Sequence, residues 1–491
     1  MFEYLGDIVQ NVFSIQSLLV LFAGSAVGMV VGTIPGLSAS MGVALALPFT
    51  YGMGAAQGIL LLVGIYCSAI YSGSISAILI NTPGTSASTA SLADGFSLTK
   101  QGKARKALDI SLYASVFGGI FSGILLLLLA PQIAKAALTF GPPEYFALGI
   151  LGLTIIAGVS SEGILKGLVL GAFGFLLSTI GIDPISGISR YTFGNSQLLA
   201  GIGTVAAMIG LFALSEMFNQ VEIGSRKMVQ VTTIDNDGMK IRETKRYVKT
   251  MSISSIIGSI IGAIPGTGSG IAAFLALRVA KGASKNPEEY GKGSLEALSA
   301  TESAKNAVTG SAMIPMMTLG IPGDAVTAIL LGGLTIQGLA PGPQLFEKNP
   351  VLVYTIMFGF ILANFVMYLE AKVAIRGFSR ISNIPNNVLI PIVSVCCIVG
   401  SFAINNNLFD VSVALVLGVF GFVLPKIGYS SLVPILIGLI LGPLVEENFR
   451  RALVLSNGSY TIFVTRPISL VILLIAVGSV LVTVIKKKER R

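Results

Sequence analysis

The sequence predicts an all-α polytopic membrane protein made of two inverted-topology repeats, each with a helical hairpin and a broken helix. Three observations carry that expectation. Hydrophobic residues fill 53% of the 491 positions and charged residues only 11%, a balance that excludes an ordinary soluble domain. Two phrases occur twice in the same order: Gly28 to Gly36 (GMVVGTIPG) returns as Gly258 to Gly266 (GSIIGAIPG), and Ser72 to Thr85 lies without a gap on Ser311 to Asp324. The positive charge changes sides between the halves.

A spanning helix needs about 20 mainly apolar residues. Apolar runs lie at 15–34, 58–80, 108–130, 144–160, 164–182 and 199–215 in the first half. They continue at 251–264, 268–280, 307–321, 325–340, 351–372, 389–404, 409–424, 431–446 and 468–485. The division expected is a first repeat over 1–225, a basic linker over 226–250, an inverted second repeat over 251–447, and a last helix with a basic tail over 448–491. No ten-residue alternation repeats along the chain, which argues against a membrane barrel. Glu3 and Asp7 precede the first run where a cleaved leader would be basic, so the first helix is expected to stay.

The net charge of +9 is bunched at Lys100 to Lys106, Arg226 to Lys249, Arg278 to Lys292 and Lys486 to Arg491. These segments are expected in the cytoplasm, with the N-terminus outside and the C-terminus inside. No folded basic surface is left outside the membrane for nucleic acid. The link after the first motif, Phe49 to Gln57, carries no positive charge, but its counterpart holds Arg278, Lys281, Lys285 and Lys292. After the second motif the bias reverses: the first half has Lys100, Lys103, Arg105 and Lys106, the second only Lys348 beside Glu347. An inverted repeat predicts this exchange and a parallel repeat does not. Residues 250 and 278 then share one side, so Pro265 to Ser269 is the turning point of a hairpin entering from inside, and Pro35 to Ser40 of one entering from outside. Their depth is left open.

Histidine is absent and the three cysteines (Cys67, Cys396, Cys397) sit in apolar runs. No metal site or disulfide framework is indicated, and ion coupling must rest on carboxylates, hydroxyls or backbone carbonyls. The glycines at 24, 28, 32, 258 and 262 are spaced for close helix packing in lipid. That spacing does not account for Pro35, Gly36, Ser38, Ser40, Thr267, Gly268 and Ser269 beside them. In Asn81-Thr82-Pro83-Gly84-Thr85 an apolar run ends on polar residues and a helix breaker, and Gly320-Ile321-Pro322-Gly323-Asp324 matches it. Broken helices at membrane depth expose amides that favour anions and carbonyls that wrap cations. All of these but Gly320 and Ile321 form the expected substrate site, with a sodium position at Asn81, Thr82, Gly320 and Asp324. Ser299, Glu302, Asn306 and Thr309 form a polar stripe beside Lys305, read either as a solvated helix or as pathway. Asp94 is a weaker pathway candidate that also reads as a turn with Gly95.

Several long motifs in order resemble the large membrane subunit of the tripartite tricarboxylate transporters, the TctA-like family: IPGLSASMGVALALPFTYG from Ile34, YSGSISAILINTPGT from Tyr71, IPGTGSGIAAFLA from Ile264, SKNPEEYGKGSLEAL from Ser284 and LGIPGDAVTAILLGG from Leu319. The resemblance covers nearly the whole chain. It implies a permease in a prokaryotic inner membrane working with a small four-helix membrane subunit (TctB-like) and an extracytoplasmic solute-binding protein (TctC-like). It also implies uptake of citrate-like di- and tricarboxylates on a sodium or proton gradient, and by analogy an elevator-type ion transporter fold. The chain departs from the family pattern at Lys305, which precedes Asn306 where asparagines are paired, and at Asp324, where a small polar residue is usual. These two charges are read as a pair with each other, or Lys305 as a partner of the anion.

Two rivals accompany this reading. A passive channel lacks concentrative uptake. An intramembrane enzyme with Ser303 and Lys305 as nucleophile and base is disfavoured, because a spacing of two on a helix points side chains about 200° apart. A phosphate-binding Gly-x-x-x-x-Gly-Lys-Ser/Thr loop, the mark of an ATP-driven pump, does not occur.

Overall fold

A computed structural model describes residues 4–159, 164–224, 237–374, 386–429 and 431–488, with the side chains of 155–159, 164, 386 and 481–488 left out. Among the described residues the regular structure is all helical apart from one short ribbon. In order come α1 (Leu5–Val12), α2 (Ile15–Thr33), α3 (Ala39–Ala46), α4 (Ala55–Ile80), α5 (Leu92–Lys100), α6 (Ala104–Ala137), α7 (Pro142–Val159) and α8 (Ile164–Ser178). The ribbon pairs Gly181 with Arg190 and Ile182 with Ser189, antiparallel. Then follow α9 (Thr204–Met208), α10 (Ser215–Ile223), α11 (Val248–Ala263), α12 (Gly268–Ala283), α13 (Leu295–Ser311), α14 (Met313–Leu319), α15 (Ala325–Ile336), α16 (Pro343–Lys348) and α17 (Pro350–Ala374). The last are α18 (Asn386–Asn405), α19 (Leu408–Lys426), α20 (Val433–Leu455), α21 (Ile462–Thr465) and α22 (Pro467–Lys488). Among the described residues, 7 helical runs are long and apolar enough to cross a membrane.

Two expected runs are redrawn. The run at 199–215 starts at Thr204 and continues through a π turn at Ile209–Leu214 into α10. The run at 307–321 is the end of a longer helix: α13 already begins at Leu295, in residues too polar to register as a span, and α14 follows after Ala312. The expected linker lies outside the described residues over 225–236, as do the tail residues 489–491.

Glycine spacing sets the helix packing. A Cβ on Gly24, Gly28 or Gly32 would stand 2.4, 2.4 and 2.3 Å from the carbonyl oxygens of Leu61, Ile65 and Ala69, so α2 lies backbone against backbone on α4. Likewise a Cβ on Gly258 would meet Ala304 O at 2.2 Å, and one on Gly262 would meet Ser311 Oγ at 2.2 Å. Ile65 and Ala304, like Ser72 and Ser311, differ by the same 239 positions that align the second phrase, so equivalent residues make equivalent contacts. Without a hydrophobic drive inside lipid, such close approach is what holds helices together.

The same contacts give the depth of the hairpins, which the sequence leaves open. Gly32 is level with Ala69, so the α2–α3 turn stops about 16 Å short of the end of α4 at 1.5 Å per residue. The chain then returns toward Thr50, which packs near Gly58 at the start of α4. The α11–α12 hairpin turns near Ser311 and returns to Ser284, whose hydroxyl donates to Glu296 Oε2 at 2.6 Å near the start of α13. Helices α4 and α13 run antiparallel: Ser74 meets Glu302, while Tyr66, earlier on α4, meets Asp324, which follows Gly323 where it packs against Ala312 just past the end of α13. The two hairpins therefore enter from opposite ends and turn back inside the protein.

The described parts of the three basic segments around Lys100–Lys106, residues 237–249 and Arg278–Lys292 share one of those ends. Gln101 Nε2 donates to Lys292 O at 2.8 Å, Lys106 pairs with Asp237 at 2.5 Å, and Thr250 donates to Glu296 Oε1 at 3.0 Å. At the other end Gln337 Nε2 donates to Thr50 O at 2.8 Å. The largest apolar core surrounds α4, with Leu62, Met208, Met317, Leu330 and Phe360 fully or almost fully buried.

Candidate functional site

Two matching turns deliver residues to the middle of the molecule. Helix α4 ends at Asn81 in the left-handed conformation (φ 55°), after which the chain doubles back and Gly84 N–H donates to Gly73 O at 3.0 Å. Only glycine fits there, since a Cβ would stand 1.9 Å from Gly32 O. Helix α14 ends at left-handed Gly320 (φ 72°), and a Cβ on Gly323 would stand 2.7 Å from Ala312 Cα. Gly73 and Ala312 are again 239 positions apart. Each return brings the next residue, Thr85 or Asp324, to one central cavity.

That cavity has a volume of about 350 Å³ and joins the two hairpin tips. Of the expected site residues, Ser38, Ser40, Thr85, Thr267, Gly268, Ser269 and Asp324 line it. Pro35, Gly36, Asn81, Thr82, Pro83, Gly84, Pro322 and Gly323 do not; they shape the turns behind it. Sequence reasoning missed Ile70, Ser86, Ser431 and Val433 of the lining. Each tip is tied internally, Ser38 and Ser40 hydroxyls bonding at 2.9 Å and Thr267 Oγ1 donating to Ile264 O at 2.9 Å, and Gly266 N–H ties the second tip to the return by donating to Gly323 O at 2.6 Å.

Three helices start at the cavity wall. Ser38 caps α3 by accepting from Met41 N–H at 3.1 Å, Thr267 precedes α12, and Asp324 caps α15 by accepting from Thr327 N–H at 2.8 Å. Their N-termini present the positive ends of three backbone dipoles to one space, an environment suited to an anion. No lysine or arginine belongs to the lining among the described residues. The one carboxylate is Asp324, whose Oδ2 accepts from Tyr66 Oη at 2.5 Å and whose Oδ1 accepts from Thr327 Oγ1 at 2.9 Å. Tyr66 was invisible to sequence reasoning, one of two tyrosines inside an apolar run.

The expected four-residue sodium position is not assembled. Tyr66 holds Asp324 14 residues before the end of α4 at Ile80, about 21 Å along an unbroken helix, and Asn81 lies exposed beyond that end. Gly320 lines a different cavity of about 640 Å³ with Tyr51, Thr335 and Asn405.

The polar stripe is not a solvated helix. Ser299, Glu302, Asn306 and Thr309 are all completely buried, and so is Lys305. Glu302 Oε1 accepts from Ser74 and Ser91, each at 2.6 Å; Oε2 accepts from Ser115 at 3.1 Å and pairs with Lys305 Nζ at 2.9 Å. Lys305 also donates to Ser74 Oγ. Lys305 is therefore paired with Glu302 and Asp324 bonded to Tyr66, in place of the pairing between Lys305 and Asp324 considered from sequence. Ser303 Oγ donates to Ser299 O at 2.7 Å on its own helix, so it forms no nucleophile and base with Lys305. Asp94 sits in the first turn of α5 and not in a turn with Gly95. Its Oδ1 accepts from the amides of Gly291 (2.8 Å), Gly293 (3.1 Å) and Ser294 (2.8 Å), fastening the loop before α13. Neither group lines the cavity.

Comparison with known proteins agrees with this architecture. The family model for the tripartite tricarboxylate transporter TctA family matches residues 18–437. A 52.8 kDa protein of the TAR-I ttuC' 3' region of Agrobacterium vitis is 36% identical over 464 residues, covering 94% of this chain and 92% of that protein. A protein of the TAR-II ttuC' 3' region of the same organism is 38% identical over 199 residues, 40% of this chain and 82% of the relative. No solved structure matches the chain. With the match running through both hairpins and both Pro-Gly returns, the chain belongs to the tripartite tricarboxylate transporter TctA family.

Proposed function

We propose that the chain is the permease of a binding-protein-dependent secondary transporter that takes up citrate-like di- and tricarboxylates on a sodium or proton gradient. The observation that carries this reading is the central cavity, where three helix N-termini and the hydroxyls of Ser38, Ser40, Thr85, Thr267 and Ser269 surround one space. Its volume of about 350 Å³ suits a small organic anion. Substrate charge is met by amides and hydroxyls. The buried carboxylate of Asp324 opposes the anion until a cation or proton joins it, and that mutual dependence is coupling. The two halves act as inverted repeats, with the hairpin tips carrying the site in an elevator-type movement. The end that gathers the basic loops faces the cytoplasm of a prokaryotic inner membrane. A TctC-like binding protein supplies the substrate from outside, and a TctB-like four-helix subunit completes the membrane assembly.

The test is uptake of labelled di- and tricarboxylates into proteoliposomes holding this chain with both partners, under sodium and proton gradients imposed separately. Accumulation under one gradient, collapsed by the matching ionophore and reduced at least tenfold in Thr85→Ala or Ser269→Ala, is expected. Equilibration without accumulation would mean a passive channel, and no uptake by an assembled complex would refute the substrate class.

A further inference from the structure

Away from the cavity, α13 carries a buried charged cluster. Glu302 and Lys305 are one turn apart on this helix, both with no solvent exposure, and lie where α13 meets α4 and α6. Burying a carboxylate is costly unless a cation and hydrogen bonds compensate it. The surroundings are those of a cation site rather than of a single ion pair. Around the carboxylate stand the hydroxyls of Ser74, Ser91 and Ser115 from three separate segments. Asn306 Oδ1, on the next turn of α13, is buried with no hydrogen-bond partner. The cluster thus offers a carboxylate, several hydroxyl oxygens and an unused amide oxygen, a hard-oxygen set of the kind that binds small cations. The ammonium of Lys305 reaches two of these oxygens, 2.9 Å from Glu302 Oε2 and bonded to Ser74 Oγ, while Ser115 Oγ accepts from Asn306 Nδ2 at 2.8 Å.

We propose that Lys305 is a tethered monovalent cation, filling an oxygen cage at the junction of α4, α6 and α13 that would take a sodium ion if the ammonium were removed. The resident charge compensates the buried side chain of Glu302 and holds the two halves together without an ion from solution. This site is separate from the substrate cavity, so the proposal stands or falls independently of the transport reading.

The experiment is thermal unfolding of the purified full chain in sodium chloride and in choline chloride at equal ionic strength. The wild type sets the baseline. Lys305→Met is expected to be less stable in choline and to gain a sodium-dependent rise in Tm at least about 2 °C larger than the wild type shows. The double variant Glu302→Gln, Lys305→Met, which lacks the cage's charge, is expected to return to the baseline response. A Lys305→Met protein with no more sodium response than the wild type would overturn the proposal, as would a response that persists in the double variant. If Lys305→Met can be recovered only when purified in sodium, the proposal is supported. Failure of Lys305→Met to be recovered in either salt, whatever the double variant does, would overturn it, because an ion-accepting cage should be rescued by sodium.

Discussion

The phenol of Tyr66 donates to Oδ2 of Asp324 at 2.5 Å, across 258 positions of sequence. Tyr66 lies within α4 and Asp324 caps α15, so one bond fastens the first half to the second at the cavity wall. Tyr66→Phe leaves a buried carboxylate oxygen without its donor, which costs about 1 to 3 kcal/mol. Tyr66→Phe combined with Asp324→Asn should cost less than the sum of the two single changes, because the charged oxygen that suffers is gone. Chemical denaturation of the four proteins checks this, and strict additivity would show that the bond does not couple the halves.

On the proposed function, Asp324 also bears on ligand affinity. A carboxylate about 5 Å from a bound anion, in an effective dielectric of about 20, repels it by about 3 kcal/mol, or more than a hundredfold in affinity. Carboxylate binding by the wild type should therefore strengthen when sodium is added or when pH falls. Asp324→Asn keeps a capping side chain but not the charge, so it should bind tightly under all conditions and lose that dependence. Equilibrium binding of labelled citrate at two pH values, with and without sodium, is the measurement. A variant that keeps the full dependence would place the coupling group elsewhere.

At the ribbon, the Ser186 hydroxyl, the Arg450 guanidinium and the Ile185 amide hold the Asp183 carboxyl well below the usual carboxylate range. A depressed folded value means that the stabilisation is fully present above the unfolded value of about 4 and is lost as pH falls through the folded one. Ribbon protection should therefore be flat from pH 8 to 5. Asp183→Asn, which removes the charge, should raise amide exchange at Ile185 and Ile188 throughout that range. Hydrogen exchange read by mass spectrometry decides it, and a loss of wild-type protection already at pH 6 would contradict the sign.

The turns were legible in sequence because Pro-Gly after an apolar run is a strong break and occurs at matched positions in both halves. What sequence could not supply was which residue after the break re-enters the molecule. Asn81 and Thr85 are equally polar, yet only Thr85 returns, because Gly84 packs against Gly32 and Gly73. Hairpin depth was hidden for a similar reason: the 19 residues of α2 are long enough to span, and only their register against α4 shows the early turn. The polar stripe on α13 was seen and its burial was not. Helical spacing is the same for a wet face and a buried one, and the partners Ser74, Ser91 and Ser115 come from three distant stretches.

The glycine returns give the sharpest contrast between positions. At Gly84 a Cβ would fall 1.9 Å from Gly32 O, and at Gly323 2.7 Å from Ala312 Cα, so in both cases backbone would have to move. Gly268 is left-handed (φ 72°) but has nothing within 4 Å of a Cβ. Gly268→Ala should therefore cost only the strain of its backbone conformation, about 1 to 2 kcal/mol. Gly84→Ala and Gly323→Ala add overpacking of about 1 to 3 kcal/mol or more and displace Thr85 or Asp324 from the cavity. Folded yield from membranes and uptake should fall much further in these two than in Gly268→Ala. Equal losses in all three would mean that the close approach of the returns to Gly73 and Ala312 does not hold the site together.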